Sequence, residues 1–246
     1  MPGRNEPGRR TVAVIQSSYI PWKGYFDIIH DADLFVFYDD AQYTKNDWRN
    51  RNKIKTGEGA AWLTVPVRAH LGQTIREVEL AGPLWAKKHW KTLCQYYSHA
   101  PHFGRYRDLL ESVYLGTRWE SLSRLNQHLT KCIARDTLGI ATEFADSCDY
   151  PAGGGRLERL IELLRSAGAG AYVSGPSARA YIDPERFRAD GIDLVYKSYE
   201  GYPEYPQFHP PFEHNVSILD LLFHAGPDAP YYIWGWRESE RRAAPS

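Results

Sequence analysis

Two adjacent carboxylates, Asp39 and Asp40, close the run LFVFY at 34–38 and are the first candidates for proton chemistry. On an extended chain, neighbouring side chains point to opposite sides. One carboxylate can then face a cleft while the other holds backbone or an arginine. A carboxylate within hydrogen-bond reach of a substrate proton can act as a general base, and it equally suits a cationic amine. The same pair also reads as a solvated strand terminus.

Downstream, Trp48, Arg49, Asn50, Arg51 and Asn52 stand together as WRNRN. Arginine binds carboxylate or phosphate in a bidentate way, and asparagine both donates and accepts. An exposed charged turn is the plainer reading. The surrounding YTKNDWRNRNKIK, with Gln42 just before it, has little apolar content apart from its aromatics. That predicts a loop or ribbon over the surface, where function concentrates. In WAKKHW, Lys87, Lys88 and His89 lie early in a predicted helix. Histidine is the usual proton shuttle near neutral pH, although one on an aromatic-rich helix also reads as structural.

Other constellations are weaker. His209, Glu213 and His214 match no standard metal spacing. Ser174-Gly175-Pro176 is a turn whose amides could receive an anion, or a plain turn. Gly153 to Gly155 lack the GKS or GKT of a phosphate loop, and there is no GxGxxG, zincin motif or Ser/His/Asp triad.

The elements that must position these residues follow from periodicity. TVAVIQ at 11–16 and LFVFY at 34–38 read as buried strands, with an amphipathic helix over 22–32 between them. That is a βαβ unit, which places Gln16 and Asp39/Asp40 at strand carboxyl ends, where ligands sit in such sheets. AAWLTVPV at 60–67 predicts an edge or bulged strand because of Pro66, and 75–80 alternates as a half-buried strand. Helices are expected over 83–98, 106–115 and 121–138. YPAGGGR at 150–156 is a connector and a candidate sub-boundary. A second βαβ pattern follows: helix 156–167, strands 171–174 and 194–196, a proline-rich aromatic loop 201–211, and helix 217–224 capped near Asn215. The expected fold is α/β, a mixed or mainly parallel sheet flanked by helices, with two βαβ-type halves as an option. The expected domain spans 11–238, between tails 1–10 (disordered) and 239–246.

Composition bounds the function. The 246 residues are 43% hydrophobic, enough for a sizeable core. Thirty basic residues balance thirty acidic ones, which argues against a general nucleic-acid binder. Cys94, Cys132 and Cys148 lack CxxC spacing, which predicts reduced thiols. No apolar run is long enough to span a membrane and no secretory signal opens the chain, so a cytoplasmic protein is expected. Aromatics reach 14%, with 17 tyrosines and eight tryptophans, residues that line ligand clefts well.

The opening QSSYIPWKGYFDII, with Gln16, Tyr19, Pro21, Gly24 and Tyr25, resembles the QPxYxPxxGYF opening of the WbqC-like family. The resemblance continues through FVFYDDAQYTKNDWRNRNKIK, WLTVPV, LGQTI, KKHWKTL, SGPSARAYID, YPEYPQ and SILDLLFHAGP, from about Thr11 to Pro227. Ser17 stands where the family usually has proline. The resemblance implies an accessory enzyme acting on a sugar or related metabolite, in the preferred form an N-acyl or aminoacyl (for example glycyl) transferase that makes an amide on an amino sugar.

On that reading an acyl donor, for example a carrier-protein thioester, meets the amine of the acceptor. Asp39 or Asp40 takes the proton, with His89 a further candidate. Gln16, Asn50 or Asn52 stabilises the oxyanion. Arg51 holds an anionic group, Tyr19, Tyr25 and Trp48 stack on the sugar, and Gln42 and Lys88 contribute to binding. The expectation includes no cofactor, metal, nucleic acid or membrane. A covalent route through Cys94 or Cys132 is disfavoured, since both lie in predicted helices. The alternatives are a non-catalytic sugar-binding or scaffold protein, a metal-dependent enzyme using Asp39, Asp40 and His89, and an ATP-consuming ligase, which the missing phosphate loop disfavours.

Overall fold

The computed structural model describes residues 10–180 and 182–243. Its centre is a five-stranded, all-parallel sheet in the order β7-β2-β1-β8-β9, formed by Arg10–Ile15 (β1), Leu34–Phe37 (β2), Glu143–Asp146 (β7), Ala169–Ser174 (β8) and Asp193–Tyr196 (β9). The fold is α/β, as expected. Both βαβ patterns belong to this one sheet. The chain steps from β1 to β2 on one side and later adds β8 on the other. β1 is therefore the switch point of a doubly wound arrangement, and its carboxyl end is the natural place for a ligand.

The alternation of β1 and β2 builds two cores. Ala13, Phe35, Phe37 and Val173 face helices Lys23–Asp31 (α1), Leu84–Tyr97 (α2), Phe103–Glu111 (α3), Leu122–Cys132 (α4) and Ile218–Ala225 (α7). Val12, Val14, Leu34, Val36 and Tyr172 face Arg156–Ser166 (α5) and Pro184–Ala189 (α6). Burying a side chain such as Phe37, with no exposed surface, is worth roughly 2–3 kcal/mol.

Residues 38–142 form an excursion between β2 and β7. It holds an antiparallel hairpin of Arg51–Thr56 (β3) and Gly59–Thr64 (β4), the short pair Val67–Arg68 (β5) and Glu79–Leu80 (β6), and α2 to α4. Several sequence expectations change here. The segment 43–55, expected as a loop or ribbon over the surface, runs into β3, where Asn52, Ile54 and Lys55 are buried. The strand expected over 60–67 stops at Thr64, before Pro66. Half of the strand expected over 75–80 is a 3-10 turn, Ile75–Glu77, because Thr74 and Glu77 form a capping box that bends the chain, and the strand is confined to β6. The helices expected to 115 and 138 end in π turns, Ser112–Gly116 and Ile133–Thr137. α7 is capped by Ser217 Oγ, which accepts from Leu219 N at 3.2 Å, not by Asn215.

The glycine-rich connector 150–156 joins β7 to α5 within the same sheet. Arg10, expected in the tail, opens β1, and residues 1–9 lie outside the described residues. A helix, Glu238–Ala243 (α8), occupies most of the segment read as the C-terminal tail. Among the described residues no helix is long and apolar enough to cross a membrane.

Candidate functional site

A cavity of about 200 Å³ opens at the carboxyl end of β1. Its walls come from three places. Ser18, Pro21, Trp22 and Tyr25 follow β1 directly into α1; Trp48, Arg49 and Asn52 lie on the turn before and the start of β3; Asn215 precedes α7.

The first wall depends on backbone that would not hold itself. Ile20 has φ 36°, a region a β-branched residue rarely enters. Asn52 clamps it: Nδ2 donates to Tyr19 O at 3.1 Å and to Ile20 O at 2.9 Å, and Oδ1 accepts from Lys53 N at 2.8 Å. Tyr19 N donates to Trp48 O at 3.0 Å, so the two walls are sewn together. Gly24 lets the Trp22 indole lie over the start of α1, since a Cβ there would sit 2.3 Å from Trp22 Cζ2. Ile218 N donates to Pro21 O at 2.9 Å and Ser217 N to Lys53 O at 2.8 Å, which brings Asn215 to the rim.

Arg49 is the chemical centre of the cavity. It is 9% exposed, yet no carboxylate lies within 4.0 Å of its guanidinium among the described residues. Nη1 donates to Gln16 Oε1 at 2.7 Å, and Nε is buried without a partner. Asn50 Oδ1 and Asn126 Oδ1 are likewise buried and unpartnered, and Asn126 Nδ2 donates to Arg49 O at 2.8 Å. A buried charge is normally paired. A guanidinium at a cavity wall with no carboxylate partner has the chemistry to receive a carboxylate or phosphate.

The two predicted carboxylates take the other roles open to them. Asp39 has no exposed surface; it accepts from Ser17 N at 2.8 Å, from Gln127 Nε2 at 3.3 Å and from Ser123 Oγ. Asp40 pairs with Arg76 and Arg159, each at 3.1 Å, and accepts from Ser147 Oγ at 2.7 Å. One holds backbone and the other holds arginines, and neither lines the cavity. Ser17 matters here, because proline at that position would have no N–H to give Asp39.

His89 is also internal. Thr64 O can only accept, so the 3.1 Å contact requires a proton on His89 Nε2. Nδ1 then accepts from Tyr19 OH at 2.8 Å, and Tyr19 OH accepts from Tyr114 OH at 2.7 Å. Burial drives the His89 pKa down to about 4 and pushes the Tyr19 phenol well above its usual range. This chain of hydrogen bonds fixes the 17–21 turn from beneath.

Of the other predicted residues, Tyr25, Trp48 and Asn52 line the cavity, and Gln16 reaches it through Arg49. Tyr25 OH donates to Gln16 O at 3.1 Å. Asn50 Nδ2 is committed to Val65 O at 2.9 Å. Arg51 stacks on Trp62, with 4.2 Å from guanidinium carbon to ring centroid. Gln42 is exposed and bridges to Thr74, and Lys88 is exposed on α2.

Sequence reasoning favoured Arg51 over Arg49 and passed over Ser18, Trp22 and Asn215. The presence of two arginines in WRNRN was legible; which one turned inward was not. Asp27, His30 and Asp31 are the group among the described residues that could hold a cation. Lys197 Nζ already lies 2.7 Å from Asp27 and 2.5 Å from Asp31, and Arg237 pairs with Asp27. The cation's place is filled by side-chain charges.

With this geometry in place, sequence comparison assigns the class. The WbqC-like protein family matches residues 16–232, and the chain belongs to that family. An uncharacterized protein of Mycobacterium tuberculosis, Rv1507c, is 48% identical over 226 residues, covering 91% of this chain and 97% of its own length. No solved structure matches the chain.

Proposed function

We propose that the cavity binds an anionic, ring-bearing small molecule of the amino-sugar type, and that the protein assists transfer of an acyl or aminoacyl group onto its amine. The observation that carries the binding part is Arg49, buried at the wall and without a carboxylate partner. Trp22, Tyr25 and Trp48 supply apolar faces for a sugar ring, and Ser18 and Asn215 supply polar groups.

The transfer part rests on family resemblance and on an economy of chemistry. A thioester carbonyl is attacked by the acceptor nitrogen, a C–N bond forms, the C–S bond breaks, and the departing thiolate takes the proton that nitrogen sheds. That reaction needs orientation more than an enzyme nucleophile. In this reading Asp39, Asp40 and His89 position the walls and do not exchange protons with substrate. A carrier-protein thioester is the proposed donor.

A non-catalytic binding protein of the same pathway is the second reading. The enclosure of Asp39 and His89, away from the cavity, favours it. The test is to incubate the protein with aminoacyl and acyl thioesters and phosphorylated amino sugars and follow mass. Protein-dependent acylated product supports transfer. Acceptor binding without product across the panel leaves the binding protein.

A further inference from the structure

Outside the cavity rim, the β3–β4 hairpin presents a face that the fold itself does not use. Trp48 and Trp62 are each 42% exposed, with ring centroids 5.4 Å apart. Exposed large aromatics side by side mark binding surfaces more often than isolated ones do. The Arg51 guanidinium carbon lies 4.2 Å and Lys53 Nζ 5.3 Å from the Trp62 centroid.

The register explains the grouping. Lys53 is directly opposite Trp62, and Arg51 lies two residues along the same strand, on the same face. Neither cation has an ion-pair partner among the described residues, and Arg51 Nε is buried without a hydrogen bond. In 45–55, Lys45, Arg49, Arg51, Lys53 and Lys55 stand against Asp47 alone, although the whole chain is neutral. Trp48 joins the two regions, since it lines the cavity and leans on Trp62.

We propose that this hairpin face binds the nucleoside diphosphate of a nucleotide-activated sugar, whose sugar end enters the cavity. The base stacks on Trp62 and Trp48. The diphosphate meets Arg51 and Lys53, and Arg49 takes the anionic group nearest the sugar. The placement of the sugar rests on the cavity reading above; the nucleotide subsite does not require transfer chemistry. Stacking supplies affinity without reading base identity, and paired cations supply the preference for two phosphates over none.

The test uses the full chain, titrated with UDP, ADP and uridine by calorimetry and by quenching of tryptophan fluorescence. UDP and ADP are expected to bind alike, with uridine at least about tenfold weaker, the loss of charge-assisted hydrogen bonds. Trp62→Ala should weaken UDP about 5- to 150-fold, the range for one lost stacking partner. Arg51→Ala should weaken it at least about fivefold and reduce its salt dependence. Both variants should stay folded, with a single cooperative thermal transition, since both side chains are partly exposed.

Absence of UDP binding at millimolar ligand overturns the inference, as does undiminished binding by both variants. Binding of oligothymidylate without UDP binding also overturns it and identifies a single-strand surface instead. The two proposals separate cleanly. Transfer to a simple amino sugar without UDP binding removes this inference alone, and UDP binding without transfer removes only the reaction.

Discussion

Arg49 Nη1 donates to Gln16 Oε1 at 2.7 Å, so the guanidinium at the cavity wall is oriented by an amide and not neutralised by a carboxylate. The pair joins the end of β1 to the turn before β3. Arg49→Ala is expected to weaken binding of a phosphorylated amino sugar such as glucosamine 1-phosphate about 10- to 100-fold, the cost of a lost charge-assisted hydrogen bond. Gln16→Glu is the sharper variant. It changes volume little but places an anion against Arg49, so affinity should fall although the wall keeps its shape. Calorimetric titration of both variants checks this; unchanged affinity in Gln16→Glu would remove Arg49 as the anion receptor.

Asp39 behaves as a structural acceptor. It has no exposed surface; Oδ1 accepts from Ser17 N, and Oδ2 accepts from Ser123 Oγ and Gln127 Nε2. Asp39→Asn turns one of these two acceptor oxygens into an NH₂ donor, which faces either Ser17 N or the Ser123 and Gln127 pair. The expected loss is about 1–3 kcal/mol of stability, read from urea unfolding. Activity or ligand binding per folded molecule should be retained. A variant of parental stability with no turnover would return Asp39 to the role of a base.

The strands β1 and β2 were legible because their β-branched and aromatic runs serve two buried faces, and the turn chemistry between them was equally plain. β3 was not. Its strand is built from Arg51, Asn52, Lys53, Ile54 and Lys55, and its buried polar residues are satisfied by partners distant in sequence. Asn52 reaches Tyr19 and Ile20, and Lys55 N donates to Tyr97 OH at 2.9 Å. β7 was missed for a related reason: in EFAD only Phe144 and Ala145 are apolar, and pairing with β2 supplies the rest. At the site, Tyr25, Trp48, Arg49 and Asn52 of the cavity wall stand in a polar and aromatic stretch that is visible in the sequence. Which of its charges were already paired depends on Arg76, Arg159, Ser123 and Gln127, and no spacing within the segment encodes those contacts.

His89 gives a pH dependence whose sign is fixed. Burial lowers its pKa from 6.5 to about 4, with the bond to Thr64 O opposing. Between those values the unfolded chain takes up a proton that the folded one refuses. Stability from this group is therefore complete above pH 6.5 and lost as pH falls towards 4, a change of about 3 kcal/mol. His89→Gln should flatten that part of the stability profile, measured as urea midpoints from pH 7 to 4. An unaltered slope would mean that another group carries it.

The cysteines are expected to be dispensable for transfer. None of Cys94, Cys132 and Cys148 lines the cavity, and burial pushes the thiols of Cys94 and Cys132 up, away from thiolate at neutral pH. The variant with all three replaced by alanine should retain product formation in the mass assay within about threefold. Cys132 Sγ contacts His128 Nε2 at 3.5 Å on the outer side of α4, so its loss touches no cavity residue. Abolished turnover in a folded triple variant would instead require a covalent intermediate.

Asn52 tests whether the cavity depends on stored strain. Ile20 at φ 36° costs of order 1–3 kcal/mol and persists because the Asn52 amide holds its carbonyl and that of Tyr19. Asn52→Ala removes both donors and should cost about 2 kcal/mol or more, with a parallel loss of ligand affinity as Ser18 and Pro21 shift. Glycine accepts positive φ without strain, so the clamp should matter less once Ile20→Gly is in place, whatever that change costs in buried side chain. A double-mutant cycle isolates the coupling from that cost. Coupling of about 0.5 kcal/mol or more assigns Asn52 to holding the turn. Additive losses would instead mean that the turn keeps its shape unaided, and that Asn52 serves the cavity only as a wall.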